Sequence, residues 1–239
     1  GDEAITLDDT TIAASDLNAL DNNTIGAIDA SNVTSITGES ADINTVYASS
    51  GITGLGDEAI TISDTHTLSH LKAINNATSG TITLNTYSED LNGSASDMTA
   101  ALAAGTLASP YAGAMTLTDT TLAADVLNTV NSLTTGEIDA SSVMTITGTA
   151  ADINIAYASP SINGLGGDET VTLSETTVIA SDLNTLDNNT TGSIDASTLT
   201  TITGQVADIN TAYTSSGITG LGDEAITLDD TTIAASDLN

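Results

Sequence analysis

"ADINTVYASSGITGLGDEAIT", residues 41–61, decides how the chain must fold, because it returns as "ADINTAYTSSGITGLGDEAIT" at residues 207–227 with 19 of 21 positions unchanged. A stretch that recurs at a distance marks a repeat architecture, and the period is read before any single element. The strand-like words "AITL", "AITI", "AMTL", "TVTL" and "AITL" begin their apolar run at Ile5, Ile60, Met115, Val171 and Ile226, in steps of 55, 55, 56 and 55 residues. The repeats so defined are 1–55, 56–112, 113–166 and 167–221, with a further one starting at 222–239. Residues 1–18 match residues 222–239 at all 18 positions but match residues 167–184 at only 12. Four diverged repeats thus form a block that begins again, and we expect one continuous segment excerpted from a much longer protein.

Each repeat divides once more. The signature Asp-(Leu or Ile)-Asn stands at Asp16, Asp42, Asp152, Asp182, Asp208 and Asp237, with looser versions around Leu71, Met98 and Leu127. The central apolar residue recurs at intervals alternating between 26 and about 29 residues, which predicts two coils per repeat. In "AASDLNALDNNTIG", Leu17 and Leu20 have helical spacing, Ser15 and Asp16 lie near the start, and Asn and Gly close the segment. "GESADINTVYASSG" does the same with Ile43 and Tyr47. Helices of about ten residues with one apolar stripe are not stable alone and must pack on neighbours. Between them, "GAIDAS", "VTSITG", "GITGL" and "EAITL" read as brief strands bounded by corners. The predicted fold is an α/β repeat solenoid whose coils of about 26–30 residues each hold two short parallel β-strands and one short α-helix. Tyr47, Tyr157 and Tyr213 occupy one slot and are expected to form part of a column.

Composition narrows the function. The chain carries 32 Asp and Glu against one Lys and no Arg, a net charge of -31, and no Cys, Trp or Phe. Affinity for nucleic acid comes from Lys and Arg meeting phosphates, so a nucleic-acid partner is excluded, as is docking on anionic lipid. No apolar run approaches the roughly 18 residues of a membrane span. Without Cys there is no thiolate chemistry. The few histidines, His66 and His70, lie in one repeat, and no nucleophile and base stand together, so an enzyme is not expected.

The acids recur in rows. "GDE" places Asp2, Asp57, Asp168 and Asp223, "IDAS" places Asp29, Asp139 and Asp195, and Asp9, Asp64, Asp119, Glu175 and Asp230 follow the strand. Stacked carboxylates about 5 Å apart would repel by roughly 1 kcal/mol in water and about 3 at an effective dielectric of 20. Salt can screen this, and calcium, which prefers clustered oxygen ligands, can neutralise it. Asp2, Asp29, Asp57, Asp139, Asp168, Asp195 and Asp223 are therefore the candidate calcium ligands, with solvated edge residues as the alternative. His66 and His70 are four apart, as two metal ligands on a helix would be, but the Glu of H-E-x-x-H is missing. "GLGDEA" at Gly54 and Gly220 reads as a turn rather than a pyrophosphate loop, because its acids would repel the ligand. "GLGGDE" at Gly164 approaches a calcium nonapeptide without its spacing. The Thr-rich runs "TITL" from Thr81 and "TLTTIT" from Thr198 suggest ice binding, but Thr does not hold the same slots in every coil.

Finally, "ITGTAADINIAYAS", "GITGLGDEAITL" and "LNTLDNNTTGSIDAS" resemble the repeats of the giant tandem-repeat cell-surface proteins of marine cyanobacteria, including the type associated with swimming motility. The resemblance spans nearly the whole chain and is weakest between His66 and Pro110. It implies a long, secreted, acidic surface polymer in seawater, where salt and calcium abound, and it brings no catalytic residues. The expected function is a structural filament or spacer segment at the cell surface that assembles with itself. The alternative is a calcium-dependent adhesin whose second repeat contacts glycan.

Overall fold

A computed structural model describes residues 1–103 and 106–233. The signature at Asp237 and the end of the repeated opening fall outside the described residues. Among the described residues eight helices and nineteen short strands follow one another, and the strand pairs are parallel.

The first repeat runs β1 (Ile5–Thr6), β2 (Thr11–Ala13), α1 (Ala14–Asn23), β3 (Ile28–Asp29), β4 (Ser35–Gly38), α2 (Ser40–Ala48) and β5 (Ile52–Thr53). The second has β6 (Ala59–Ile62), α3 (Leu68–Ala77), β7 (Ile82–Thr83), β8 (Leu91–Gly93) and α4 (Ala95–Ala101). The third has β9 (Met115–Leu117), β10 (Thr121–Ala123), α5 (Ala124–Leu133), β11 (Ile138–Asp139), β12 (Thr145–Gly148), α6 (Ala150–Ala158) and β13 (Ile162–Asn163). The fourth has β14 (Thr170–Leu173), β15 (Thr177–Ile179), α7 (Ala180–Asn189), β16 (Ile194–Asp195), β17 (Thr201–Gly204), α8 (Val206–Thr214) and β18 (Ile218–Thr219), and β19 (Ala225–Leu228) opens the next. The order strand, strand, helix, strand, strand, helix is the one the sequence predicts, except that residues 63–67 of the second repeat form no strand.

Contacts divide the chain into two compact units, Gly1–Thr116 with Ser132–Glu137, and Leu117–Asn131 with the residues from Ile138 onward. In the first unit one sheet aligns Ile5, Ile28 and Ile52 across β1, β3 and β5. Its second sheet aligns Ile12, Ile36, Ile60 and Ile82 across β2, β4, β6 and β7. In the second unit one sheet aligns Leu122, Ile146, Val171, Ile194 and Ile218 across β10, β12, β14, β16 and β18. Another aligns Val178, Ile202 and Ile226 across β15, β17 and β19.

These registers carry a sideways step. β6 is the first strand of its repeat, as β1 is of the first, yet it lies beside β4, a second-slot strand. β14 does the same beside β12. The opening strand of each of these repeats therefore extends the column built by the second-slot strands of the repeat before it, and the backbone ladder passes through the boundary. The turn at the step is the first glycine of "ITGLG", or of "INGLG" at residues 162–166: Gly54, Gly164 and Gly220 have φ of +85°, +86° and +85°. A Cβ there would lie 2.8, 2.5 and 2.7 Å from the backbone N of Ser31, Ser141 and Ser197, so only glycine fits.

Apolar side chains fill the space between strands and helices. Each helix buries positions i and i+3: Ile43 and Val46, Leu71 and Ile74, Met98 and Ala101, Leu183 and Leu186, all at 3% exposure or less. Small helical residues such as Ala14, Ala124, Ala150 and Ala180, each at most 1% exposed, let the helices sit close to the strands they follow.

Candidate functional site

The most strongly built polar feature sits where one repeat gives way to the next. Along "GDEAIT" the strand alternation continues outward from β6, so Glu58 shares its face with Ile60 and Ile62, while Asp57, Ala59 and Thr61 point away. Glu58 is fully buried, and Glu169 and Glu224 are 3% and 8% exposed. Each accepts the hydroxyl of the tyrosine eleven or twelve residues earlier: Tyr47 to Glu58 at 2.8 Å, Tyr157 to Glu169 at 2.7 Å and Tyr213 to Glu224 at 2.6 Å. Glycine N–H groups complete the set, from Gly56 at 2.8 and 2.9 Å, from Gly166 at 2.7 and Gly167 at 3.1 Å, and from Gly222 at 3.2 and 2.9 Å. A buried carboxylate is tolerable only when so supplied with donors. Burial pushes the Tyr47 and Tyr157 hydroxyls well above the usual tyrosine range, and the carboxylates they bond push them further. Tyr213 rises to about 12 for the same reasons. At Glu224 burial pushes the carboxyl up, but bonds from Tyr213 and the backbone outweigh it and hold the group below its ordinary value.

A corner of the following half-repeat closes over this clip. Thr78 Oγ1 donates to the Glu58 carbonyl at 2.8 Å and accepts from the Gly80 N–H at 2.9 Å. Thr190 repeats the corner with Gly192 above Glu169. A Cβ on Gly80 or Gly192 would approach those carbonyl oxygens to 2.2 and 2.0 Å.

Two further ladders bind successive half-repeats. The Asn of the signature donates its amide to the backbone carbonyl of the next helix: Asn18 to Asp42 at 3.0 Å, Asn44 to His70 at 3.4 Å, Asn128 to Asp152 at 3.0 Å, Asn154 to Asp182 and Asn184 to Asp208 at 2.9 Å. This gives the three-letter signature its meaning: Leu or Ile fills the core while Asn ties its helix to the next. The acids after the strands reach backward to helix N-termini, where free N–H groups and the helix dipole favour a negative group. Asp64 accepts from the Ser40 N–H at 2.7 Å, Glu175 from Ala150 at 2.7 Å and Asp230 from Val206 at 2.7 Å. Glu39 and Gln205, the cap residues of α2 and α8, make no side-chain cap bond of their own. Burial raises Glu175, against the bond from Ala150.

The seven candidate calcium ligands fall in two groups. Asp2, Asp57, Asp168 and Asp223 are exposed. Asp29, Asp139 and Asp195 each accept the N–H two residues on, from Ser31, Ser141 and Ser197 at 3.0–3.1 Å. The serine side chains, then these N–H groups, hold all three below the usual carboxylate range. The rows of like charge expected from the sequence are interrupted. In register, Asp29 lies between Thr6 and Thr53, Asp139 beside Asn163, and Asp195 between Thr172 and Thr219. Among the described residues no three Asp, Glu or His side chains converge as a cation site requires.

The two histidines take separate partners. His66 precedes α3, is 5% exposed, and has Nε2 3.2 Å from the Tyr111 hydroxyl, which donates to the Glu89 carbonyl at 2.6 Å. Burial lowers its pKa, and the Glu89 and Asp64 charges only partly oppose this. His70 Nδ1 lies 3.0 Å from Ser40 Oγ. In the second repeat Lys72 stands in the Asn slot of the signature and meets the Asp97 side chain instead of a backbone carbonyl. An open groove of about 560 Å³ lies beside that pair, lined by Thr67, Ser69, Asn76, Asn92 and Asp97 among others.

No family model, curated protein or solved structure matches the chain. The functional reading therefore rests on the geometry alone.

Within "GDE" the sequence analysis singled out the aspartate and passed over the glutamate beside it. The signal was present: Glu58 has the parity of Ile60 and Ile62, and Asp57 does not. The Asn ladder was not legible, because its acceptors lie in the next half-repeat.

Proposed function

We propose that this chain is a segment of an α/β solenoid whose task is structural: to extend, repeat on repeat, as a filament or spacer of an acidic extracellular, cell-surface protein. One observation carries the reading. The ladder crosses from β4 to β6 to β7, and from β12 to β14 to β16, so a repeat boundary is not a break in the sheet. The side chains that a catalytic reading would need as acids and bases are spent on that continuity: Glu58 and Glu169 on backbone and tyrosine donors, Asp64 and Glu175 on helix ends. The charge of -31 keeps the surface hydrated and suits a saline medium in which repulsion is screened. Partners are further copies of the same architecture.

In a nearest-neighbour stack each added repeat raises stability through one more interface. Lengthening the chain by a second copy of residues 167–221 should therefore move its urea midpoint upward. An unchanged midpoint with a proportionally larger signal would mean that repeats fold independently, and the reading would fail.

A second reading is favoured by the groove beside Lys72 and Asp97, which occurs in the repeat that departs most from the pattern. Here the second repeat would contact surface glycan, its Asn, Ser and Thr side chains bonding sugar hydroxyls. Replacing residues 56–112 by a copy of the first repeat should then abolish glycan retention while leaving the fold intact, and unchanged retention would dispose of it.

A further inference from the structure

One core slot of the second repeat holds a titratable side chain where the other repeats hold an aliphatic one. Five residues ahead of the helical core residues Leu17, Leu127 and Leu183 stand Ile12, Leu122 and Val178, but five ahead of Leu71 stands His66. Leu122, Val178 and His66 are all buried. The end of the same repeat is altered in step. Four residues after Met98, Leu102 stands in place of the clip tyrosine, and two before Met115, Gly113 stands in place of the clip glutamate. Tyr111 takes the slot of Gly56, Gly167 and Gly222, four before the core residue of the strand, and is buried. The His66 and Tyr111 rings meet edge to face, with centroids 5.9 Å apart. At this boundary a histidine–tyrosine pair stands where the others have a tyrosine–glutamate clip.

The hydrogen bonds fix where the imidazole carries its proton. The Tyr111 hydroxyl donates to the Glu89 carbonyl at 2.6 Å, an oxygen that can only accept. Burial, then the Glu89 and Asp90 charges, push that hydroxyl well above the usual tyrosine range, so it keeps its proton. Its oxygen therefore accepts from His66 Nε2 at 3.2 Å, which leaves Nδ1 as the bare acceptor. Nδ1 is sealed from solvent, and no described residue bonds it. A neutral ring leaves one acceptor unmet, whereas a protonated ring would be a buried cation with an unmet donor, which is far more costly. The neighbouring charges do not offset this. Asp64, two residues ahead on the same segment, and Glu89, ahead of β8, favour the cation, but burial outweighs them and lowers the His66 pKa. His70 and Lys72 of α3 are engaged at Ser40 and Asp97, and Glu58 of the preceding boundary at Tyr47.

We propose that this joint is a pH-sensitive latch: acid delivers a proton from solvent to His66 Nδ1, the imidazolium leaves its slot, and the end of the second repeat opens while the Tyr–Glu clips stay closed. The folded value lies below the unfolded value of about 6.5, so the open form binds the proton more tightly. Closure is therefore fully present above that pH and weakens as pH falls through it. The latch depends on the packing of this repeat and not on what the chain does.

The test is amide hydrogen exchange by nuclear magnetic resonance on the full chain at constant ionic strength, at about pH 7.5 and about pH 5.5, one unit either side of the ordinary histidine value. Each rate is divided by the intrinsic rate at its pH. The N–H groups of Leu91, Ala112 and Gly113, bonded to the carbonyls of Ala114 and Tyr87, report the joint. Those of Val171 and Ile194 report a sheet away from it. Protection at the joint should fall about tenfold between the two conditions, and not at Val171 and Ile194. His66→Leu, which installs the residue of the same slot at position 122, should abolish the fall. No fall, an equal fall at both places, or a fall that survives His66→Leu would overturn the latch. If that variant does not fold, the wild-type ring decides. Its long-range proton–nitrogen spectrum should show Nε2 protonated and Nδ1 bare in the closed chain under both conditions. An Nδ1–H tautomer, or a ring that takes its second proton at the ordinary value without loss of protection, would overturn the proposal.

Discussion

"GITGLGDEAIT" occurs at residues 51–61 and again at 217–227 without a change, yet the two copies live in different surroundings. In the first, Glu58 is 0% and Ile60 1% exposed; in the second, Glu224 is 8% and Ile226 43% exposed. Both glutamates hold their tyrosine and their glycine N–H, so the clip is a local property of the sequence. Burial is not local. Ile60 is sealed because Ile82 pairs with it, and Glu58 because Thr78 and Gly80 lie over it. The same residues acquire a core environment only when the next half-repeat is laid on them, and that dependence makes a repeat stack cooperative.

The largest test of this difference is apolar truncation. Ile60→Ala should cost about 2–5 kcal/mol in urea unfolding, as buried Ile truncations do, while Ile226→Ala should cost well under about 1. Equal losses would mean that the end copy is as well packed as the internal one.

The next is the clip. Glu58→Ala strips the acceptor from Tyr47 and Gly56 in a sealed site and should cost about 3 kcal/mol, whereas Glu224→Ala, beside a tyrosine 39% exposed, should cost under about 1. A smaller penalty at residue 58 than at residue 224 would contradict the assignment of Glu58 as the buried partner.

Alkaline titration sharpens the comparison further. The Tyr47 and Tyr157 hydroxyls are raised above their unfolded value of about 10, and Tyr213 is raised to about 12. The stability they contribute is therefore fully present below pH of about 10 and is lost as pH climbs through the folded values. Tyr47→Phe should flatten the decline above pH of about 10 more than Tyr213→Phe, measured as the unfolding midpoint against pH.

Smaller again is the Asn ladder. Asn18→Ala should cost about 1 kcal/mol through the lost bond to the Asp42 carbonyl. Lys72→Ala, in the same slot of the second repeat, should leave the midpoint nearly unchanged, because an exposed ion pair contributes little. The smallest effect expected is that of calcium. With Thr and Asn alternating with the "IDAS" acids across the sheets, millimolar calcium at constant ionic strength should not move the midpoint, while raising sodium chloride should. A calcium-specific rise would support the seven aspartates as ligands.

Several of these features could be read directly from the letters. The period, the two halves of each repeat, the helix around each signature and the glycine turn follow from spacing and residue type, because they depend on neighbours within about ten positions. The seven aspartates were chosen on recurrence alone, and recurrence does not say which way a side chain points. Parity along the strand does, and it selects Glu58 over Asp57. What the letters did not reveal is the sideways step. β6 carries almost the same word as β1, "AITI" for "AITL", and nothing in it says that its neighbour is "SITG" of β4 rather than the first-slot "IT" of β5. That choice goes with the glycine-only corner and the long-range alignment of Ile36, Ile60 and Ile82. The acids of "LDD" and "SET" are likewise opaque in isolation, since the helix ends they cap lie some 24 residues earlier.

The most direct measurement is amide hydrogen exchange by nuclear magnetic resonance on the dilute, monomeric chain, comparing Ile60 with Ile226. The Ile60 N–H donates to the Thr81 carbonyl inside a sheet closed on both sides. If burial comes from the next half-repeat, Ile60 should exchange only through global unfolding and Ile226 orders of magnitude faster, despite identical sequence over residues 51–61 and 217–227. Equal protection at the two sites would contradict the claim that each repeat is completed by the one that follows it.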